Sequence, residues 1–177
     1  MSHSASDCGA LTVDEIAGLR ALQARNEVVD LFERYIACID GDRLEEWPEF
    51  FTEECSYRIM ARENYDDNLP LAIVRCESRG MLCDRVVAIR ETMTYKPRHV
   101  RHFLTAIGVS ATETHLTRDV SANYAVIQSK LGEFSTVHCA GRYTGSVTRE
   151  SDGILRFKSL DCVFDNGLVA NSIVHPF

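Results

Sequence analysis

The sequence predicts an α+β fold in which N-terminal helices pack into the concave face of a strongly curved, cone-shaped antiparallel sheet. Apolar residues recur with a helical period as far as Pro97, and from Arg98 onward they alternate with a period of two. The links between the later strands, K-L-G and R-E-S-D-G, have the length of hairpin turns, so neighbouring strands should be antiparallel. Glycines within these strands indicate bends or bulges that curl the sheet. Helices followed by strands are typical of α+β domains.

The first helix is predicted to begin after Thr12, which can form a capping box with Glu15. Asp40-Gly41 supplies the residue types that commonly end a helix. The second half of this helix carries one apolar stripe, made of Val28, Phe32, Tyr35 and Ile39. The helix is therefore expected to cover the sheet with one side only.

An aromatic-rich corner follows, and it holds the only tryptophan of the chain, Trp47. Asp42 is expected to be the N-cap of a second short helix, with Glu45 three residues later, and Pro48 is expected to bend that helix. The first strand comes immediately afterwards. Its alternation places one set of residues on a common face: Cys55, Tyr57 and Ile59.

Between this strand and the later ones, residues 62–70 are predicted to be a polar loop and residues 71–74 a short strand. A third amphipathic helix is indicated by apolar residues at helical spacing, namely Leu82, Val86, Ile89 and Met93. Period-two alternation then predicts the long strands, over 101–109, 120–128, 134–148 and 154–164.

A chain of 177 residues with 45% hydrophobic residues fits one domain over 1–177, with residues 1–11 expected to be a flexible tail. The net charge of −7 argues against a nucleic-acid partner, because phosphate binding needs a basic surface. No apolar run approaches the roughly 20 residues that a membrane span needs. The N-terminus has neither the basic start nor the apolar segment of a signal peptide. We therefore expect a cytoplasmic protein.

The cysteines predict neither a disulfide framework nor a zinc site. They number seven, which is odd, and no C-x-x-C pair occurs. Four of them lie among apolar or alternating neighbours and are expected to be buried and reduced: Cys38, Cys55, Cys139 and Cys162.

Several polar residues could meet inside such a cone, namely Asp40, Tyr57, His99, His102, His138 and Asp161. In one hypothesis, Asp40 or Asp161 and a His or Tyr form the general acid/base pair of a lyase or isomerase. In the structural alternative, Asp40 caps a helix, His99 and His102 satisfy neighbouring carboxylates or carbonyls, and Tyr57 is a half-buried strand aromatic. A small-molecule binding module without chemistry is a third hypothesis. The structural alternative is favoured, because the sequence carries no second sign of a site.

No metal or phosphate motif is present. His99 and His102 have an H-x-x-H spacing, but residues three apart on a strand face opposite sides of the sheet. The same geometry separates His138 from Cys139. Neither a Rieske-type pair, a 2-His-1-carboxylate pattern nor a glycine-rich phosphate loop can be identified. We expect no catalytic residue, cofactor site or metal site in this chain.

Charged residues near the ends of the predicted elements indicate a protein partner instead. Exposure to solvent is enough to explain each of these charged residues taken alone. Taken together, they fit the rim of a protein–protein interface held by ion pairs. The candidate interface residues are Arg79, Asp84, Arg85, Arg98, Arg101 and His102.

Four blocks carry a family resemblance: D-x-D-R-L-E-E-W-P-E-F-F-T-E-E-C-x-Y-R-I, R-E-N-Y-x-x-x-L-P-L-A-I, S-R-G-M-L-x-D-R-V-x-A-I-R and P-R-H-V-R-H-F-L. In this order and at these spacings, they resemble the small (β) subunit of the aromatic-ring-hydroxylating (Rieske-type) dioxygenases. The resemblance covers residues 25–177. It implies the cone-shaped fold of nuclear transport factor 2, scytalone dehydratase and ketosteroid isomerase, that is, an NTF2-like fold.

The resemblance also implies a role. In such enzymes the large (α) subunit carries the Rieske [2Fe-2S] cluster and the mononuclear Fe(II), and the β subunit forms the mainly structural base of an α3β3 hexamer. It implies as partners the α subunit and other copies of this chain. The blocks are most similar to subunits of enzymes for aromatic carboxylates such as anthranilate, salicylate, halobenzoate or terephthalate. The free-standing lyase or isomerase using Asp40, Tyr57, His102 or Asp161 stays as the alternative.

Overall fold

The computed structural model of the chain describes residues 11–92, 98–111, 117–167 and 175–177. Its elements are α1 Val13–Asp40, a 3-10 helix Trp47–Phe50, β1 Phe51–Ala61, α2 Arg62–Asp66, β2 Val74–Cys76, α3 Arg79–Thr92, β3 Arg98–Ala111, β4 Thr117–Lys130, β5 Thr136–Arg149 and β6 Leu155–Phe164. The predicted tail, apart from Leu11, and the predicted helical position of Met93 lie outside the described residues. Among the described residues, no helix combines the length and apolar character needed to cross a bilayer.

The strands form one curved six-stranded sheet in the order β2-β1-β6-β5-β4-β3. The predicted antiparallel pairing is confirmed for β3 with β4, β4 with β5 and β5 with β6. The sheet is nevertheless mixed, because β1 pairs with β6 in parallel, with Tyr57 opposite Leu160. Alternation along a strand does not encode its direction, and these two strands are far apart in sequence, so the sequence could not predict this pair.

Helices α1 and α3 pack against the concave face of the sheet, as predicted. The predicted stripe of α1 is buried, with Tyr35 and Phe32 fully inaccessible, and α3 buries Leu82 and Val86. Tyr35 packs edge-on against Phe51 of β1 with ring centroids 6.1 Å apart. The two helices and the sheet therefore share one hydrophobic core.

The predicted second helix at the aromatic corner was wrong in its start and cap. Asp42 adopts a left-handed turn with φ 55°, and the 3-10 helix begins at Trp47 with Pro48 in its first turn. Arg90 of α3 binds both carboxylates that were expected to cap the helix, with Nη1 2.8 Å from Asp42 and Nε 2.7 Å from Glu45. Pro48 therefore starts this helix rather than bending it, which fits the preference of proline for a first turn.

Two further predictions between β1 and α3 need correction. The expected polar loop over 62–70 contains α2, and the short strand lies at Val74–Cys76 rather than 71–74. Arg142 of β5 binds Asp66 of α2 at 2.9 Å and lies over the Tyr65 ring. The side chain of Arg142 leaves β5 on the face opposite the core, so α2 lies against the outer face of the sheet. The contact between Arg142 and Asp66 forms only when the sheet has folded. The sequence of residues 62–70 alone therefore carries no pattern that could predict it.

A bulge interrupts the predicted alternation of β3. Ala106 has φ 51°, and the pairing with β4 shifts between Thr105 and Gly108. Leu104 packs against the core before the bulge and Ile107 after it, so the inward face changes parity there. Glycine often marks a left-handed backbone conformation in a sequence, but alanine does not, so the bulge at Ala106 could not be predicted.

Two glycines of β5 are required by the close approach of β6. A Cβ at Gly141 would lie 2.0 Å from the Val163 backbone oxygen, and one at Gly145 would lie 2.1 Å from that of Ser159. The tight curvature of the sheet at this place therefore depends on the absence of a side chain.

Candidate functional site

Asp40 and His102 meet where the end of α1 contacts β3. Asp40 Oδ1 lies 2.6 Å from His102 Nδ1, and Asp40 Oδ2 accepts a hydrogen bond of 3.0 Å from the His102 backbone N–H. The His102 side chain is 1% exposed and that of Asp40 is 11% exposed. Because both carboxylate oxygens bind His102, the Asp40 side chain joins α1 to the sheet instead of capping the helix, and the His102 ring is held in one orientation.

The other ring nitrogen of His102, Nε2, is buried and has no hydrogen-bond partner within the described part of the chain. It lies beside a cavity of about 10 Å³. The remaining residues around this cavity are Arg98, Val100, Val126, His138, His175, Pro176 and Phe177. A volume of this size corresponds to about one water molecule. No substrate fits beside the Asp40–His102 pair in this conformation.

Phe177 lies in the hydrophobic core on the concave face of the sheet, next to this cavity, and is 3% exposed. The Tyr35 hydroxyl donates a hydrogen bond to the Phe177 backbone oxygen, and the Phe177 backbone N–H donates to the Tyr57 hydroxyl at 3.1 Å. The Phe177 ring centroid lies 6.0 Å from that of Tyr124 and 6.1 Å from that of His138. The candidate residue Tyr57 is therefore fully buried and engaged by the main chain of Phe177.

Four titratable side chains near Phe177 are held neutral near pH 7 by their surroundings. Burial raises the pKa of Tyr57 well above its ordinary value of 10.0 and that of Cys162 well above 9.0. Burial also lowers the pKa of His138, and burial with the nearby Arg98 lowers that of His175 to about 4. None of these four side chains is poised to act as a charged acid or base at this pH.

Asp161 does not join the other candidates. Its neighbours in β6, Leu160 and Cys162, belong to the hydrophobic core, so the Asp161 side chain points to the opposite face of the sheet. There its two carboxylate oxygens lie 2.7 Å and 2.6 Å from Arg58 Nε and Nη2. This bidentate pair raises the pKa of Arg58 and links β1 to β6.

The two histidine predictions from strand geometry are confirmed. His99 is exposed and His102 is buried, and Cys139 is buried in the core while His138 is only partly covered. Within the described ranges, no group of three His, Cys, Asp or Glu side chains is placed to hold a metal ion. The four cysteines predicted to be buried are buried and unpaired.

The predicted interface residues fall into two groups. Arg79 donates to the Phe51 backbone oxygen, with Nε at 3.0 Å, and the His102 ring is buried, so both have roles within the chain. Asp84 and Arg101 are exposed, and the remaining two are partly exposed: Arg85 and Arg98. The contact of Arg101 to the Asp40 backbone oxygen is long, at 3.4 Å.

Two surfaces that the sequence did not single out are also apolar and exposed. The first is the overhang, defined as residues 13–27 of α1, in which no residue is buried although Leu19 is 53% and Leu22 54% exposed. Beneath it lies a groove of about 1110 Å³. The second is the tip patch, made of side chains around the β4–β5 turn, Leu131, Phe134 and Val137, which are 65% to 100% exposed.

Phe177 and the overhang were missed for different reasons. The overhang has apolar residues on more than one side, and that pattern alone could have indicated a helix with more than one partner. Phe177 follows His175 and Pro176 and has no periodic apolar pattern around it.

Comparisons with known proteins assign the family. A family model described as "Ring hydroxylating beta subunit" matches residues 35–171. The small subunit of anthranilate 1,2-dioxygenase from Burkholderia cepacia is 39% identical over 150 residues, which are 85% of this chain and 92% of that subunit. Subunit beta 2 of the terminal oxygenase component of terephthalate 1,2-dioxygenase from a Comamonas species is 31% identical over 144 residues, covering 80% of this chain and 91% of that subunit.

Solved structures agree. A β subunit assigned to an aromatic-ring-hydroxylating dioxygenase of Novosphingobium aromaticivorans superposes with a TM-score of 0.79 and 34% identity, covering 89% of this chain and 99% of that one. An NTF2-like protein from the same organism has a TM-score of 0.63 with 16% identity, covering 90% and 94%, which confirms the predicted fold. Small subunits of two-subunit oxygenases imply a large-subunit partner. This chain therefore belongs to the ring-hydroxylating β-subunit family and is the small subunit of an aromatic-ring-hydroxylating dioxygenase, an oxidoreductase.

Proposed function

We propose that this chain is a non-catalytic structural subunit that supports the assembly of a catalytic large subunit. One observation carries the proposal: the interior of the cone is closed around Phe177, and the cavity beside His102 measures only about 10 Å³. A pocket for a small substrate is typically some 300 Å³ or larger. The residues that could do acid/base chemistry therefore have no room for a reactant.

The redox groups of the enzyme belong, in this proposal, to the large subunit. That subunit would hold the Rieske [2Fe-2S] cluster and the mononuclear Fe(II), and three copies of each chain would form an α3β3 hexamer. The exposed apolar overhang and tip patch support contacts with other chains, because large exposed apolar patches mark interaction sites. The six free thiols among the described residues support a reducing compartment, the cytoplasm.

We further propose that the assembled enzyme acts on an aromatic carboxylate. The two relatives at 39% and 31% identity are named for anthranilate and terephthalate, which are both aromatic carboxylates. The substrate would bind to the large subunit, so this part of the proposal rests on relatedness and not on the geometry of this chain.

Co-expression with the large subunit tests the structural role. We expect the pair to co-purify as one iron-containing, active complex, and the small subunit purified alone to contain no iron and to turn over no substrate. Molecular mass and iron content would be measured for each preparation. A small subunit that is active by itself would refute the proposal, as would a large subunit that assembles fully without it.

The lyase or isomerase alternative has two structural requirements, of which the first is that an acid and a histidine meet within hydrogen-bond distance. Asp40 and His102 fulfil it at 2.6 Å. The second requirement, a pocket at that pair, is not met, because Phe177 and its neighbours close the space. The family assignment does not favour this alternative either.

A further inference from the structure

We propose that copies of this chain bind one another head to tail, with the edge segment of one copy entering the groove beneath the overhang of the next. The edge segment is defined as residues 67–73, D-N-L-P-L-A-I, which join α2 to β2. The inference rests on the proposed function, in which several copies of this chain share one complex, and it adds the surfaces by which the copies meet.

The edge segment exposes three apolar side chains from a backbone that is held in place. Leu69, Leu71 and Ile73 are 42%, 59% and 54% exposed. The Leu69 N–H donates to the Asn64 backbone oxygen at 2.8 Å, and the Asn64 side-chain amide donates to the Leu71 backbone oxygen at 3.2 Å. The Ile73 N–H donates to the Ile59 backbone oxygen at 2.8 Å. A segment that is already ordered loses little conformational entropy on binding, so it is suited to dock into another chain.

The groove beneath the overhang has apolar walls on both sides. Helix α1 contributes Ala21, Leu22 and Ala24, and β3 contributes Ile107 and Val109. About 1110 Å³ lies between these walls, with room for side chains of another chain. An apolar segment that enters the groove would remove both walls and its own side chains from water, which is favourable.

The charges of the groove decide which chain fits it. Four arginines and one acid line it, namely Arg20, Arg25, Arg118, Arg149 and Glu27. Glu27 pairs with Arg118 at 2.9 Å and with Arg149 at 2.8 Å. Within the described part of the chain, Arg20 and Arg25 are left without an ion-pair partner. The groove is therefore basic although the chain has a net charge of −7, and it favours an acidic occupant.

The edge segment supplies this acidic character. Asp67 begins the segment, and Glu63 lies four residues earlier, so the two side chains are on one side of the α2 turn. Both are exposed, and neither forms an ion pair with any residue that the structure describes, whereas Asp66 is bound by Arg142. Two unpaired carboxylates beside three exposed apolar side chains match two unpaired arginines beside an apolar groove. A second copy of this chain therefore fits the groove in both charge and polarity.

The two surfaces lie at opposite edges of the sheet. The edge segment leads into β2 and the groove is bounded by β3, which are the first and last strands in the order β2-β1-β6-β5-β4-β3. The contact joins unlike surfaces, so every copy offers one groove and one edge segment. Heterologous contacts of this kind close into a ring when the rotation between copies allows it. A ring of three copies is the form that fits the proposed hexamer.

Charge reversal on each side, and then on both sides, tests the contact. Arg25→Glu and Asp67→Lys should each weaken self-association of the full chain at least tenfold, because each brings like charges together. The combined variant restores opposite charges, so its self-association should return to within threefold of the wild type. Sedimentation velocity across a dilution series would measure the mass of each chain. Both positions are exposed, so the melting temperatures should stay near that of the wild type.

Arg34→Glu is the matched control, because Arg34 is exposed on the same helix but lies outside the groove. It should leave self-association unchanged. A wild-type chain that stays monomeric overturns the proposal, as do single variants that associate like the wild type or a combined variant that associates no better than the single ones.

The same variants are then co-expressed with the large subunit. Loss of the small-subunit contact should lower the mass of the complex, and the combined variant should restore it. If the single variants release the large subunit while the small subunits stay together, the large subunit occupies the groove and the proposal is overturned. The structural role itself fails on a different result, namely a large subunit that assembles fully without this chain.

Discussion

The two halves of α1 belong to one continuous helix but have opposite surroundings. From Val28 to Asp40 the helix lies in the concave face of the sheet and buries Leu31, Phe32 and Tyr35 almost completely. Over residues 13–27 no side chain is buried, although Leu19 and Leu22 are apolar. Both halves carry hydrophobic residues, but only the half from Val28 to Asp40 buries them within the chain.

This difference distinguishes the part of α1 that stabilises the fold of the subunit from the part that is exposed for contacts with other chains. An isolated helix of about 15 residues is marginal in water, so the overhang gains little from its own backbone. Its capping box at Thr12 and Glu15, with both hydrogen bonds formed, still specifies where the helix begins. We infer that the embedded half determines stability and that the overhang is available for assembly. The following predictions test that separation, ordered by the expected effect on the isolated chain.

The largest effect should come from Trp47 in the aromatic corner. Trp47 is fully buried and packs edge-on against Tyr57 and Phe51, with ring centroids 5.1 Å and 6.0 Å apart. Trp47→Ala should lower the free energy of unfolding by about 3–5 kcal/mol through the cavity it leaves. Urea denaturation would measure it, with Leu131→Ala as the control because Leu131 is fully exposed. A loss below 1 kcal/mol would show that the corner does not hold the fold.

Leucine-to-alanine substitutions in the two halves of α1 give the most direct comparison. Leu31 is 1% exposed, so Leu31→Ala should cost about 2–5 kcal/mol of unfolding free energy. Leu22 is 54% exposed, so Leu22→Ala should change that free energy by less than about 0.5 kcal/mol.

The same pair should behave differently when assembly is measured. Leu22→Ala should weaken the complex with the large subunit, determined by light scattering of the co-expressed chains across a dilution series. If Leu22→Ala destabilises the isolated chain as much as Leu31→Ala does, the overhang is a part of the folding core. If it leaves assembly unchanged, Leu22 is not at an interface.

These comparisons also show how much of the fold could be predicted. The stripe of α1, the stripe of α3 and the alternation of β1 were predicted because each reports burial within one element. The parallel pairing of β1 with β6 and the bulge at Ala106 were not, because they depend on neighbouring strands and on a backbone conformation that alanine does not signal.

The candidate site was only half predictable for a similar reason. Asp40 and His102 were both among the candidates, but the sequence could not show that residues 62 positions apart would meet. Phe177 was not a candidate at all, since a single phenylalanine carries no sign of its place in the core. The family resemblance, carried by blocks spread over the chain, was confirmed because many residues support it together.

Removing the Asp40 carboxylate should have an intermediate effect. Asp40→Ala leaves the His102 backbone N–H and Nδ1 without their partner in a buried place, which should cost about 1–3 kcal/mol of unfolding free energy. Asp30→Ala, at an exposed position of the same helix, is the matched control. Equal denaturation midpoints for the two variants would mean that the Asp40–His102 pair does not join α1 to β3.

The stability of the isolated chain should fall as the pH is lowered from 7 to 5, in part because of His175. Its pKa is lowered from 6.5 to about 4 in the folded state, so the unfolded state binds more protons between these values. This contribution is complete above pH 6.5 and is lost progressively as the pH falls towards 4. His175→Gln should flatten the dependence of the denaturation midpoint on pH, whereas His99→Gln, at an exposed position, should not. If the denaturation midpoint of His175→Gln depends on pH as steeply as that of the wild-type chain, the lowered pKa of His175 does not contribute to the pH dependence.

The smallest effect on the isolated chain should come from Arg101. It is exposed on β3, and among the described residues its one side-chain hydrogen bond, to the Asp40 backbone oxygen, is long at 3.4 Å. Arg101→Glu should therefore move the melting temperature of the subunit little. At an interface with complementary charge, the reversal should instead weaken assembly, because like charges brought together across an interface are costly. Dilution of the co-expressed complex, followed by mass measurement, would detect this. A complex with the large subunit as stable as the wild-type one would remove Arg101 from the interface and leave the overhang as the stronger candidate for the contact with other chains.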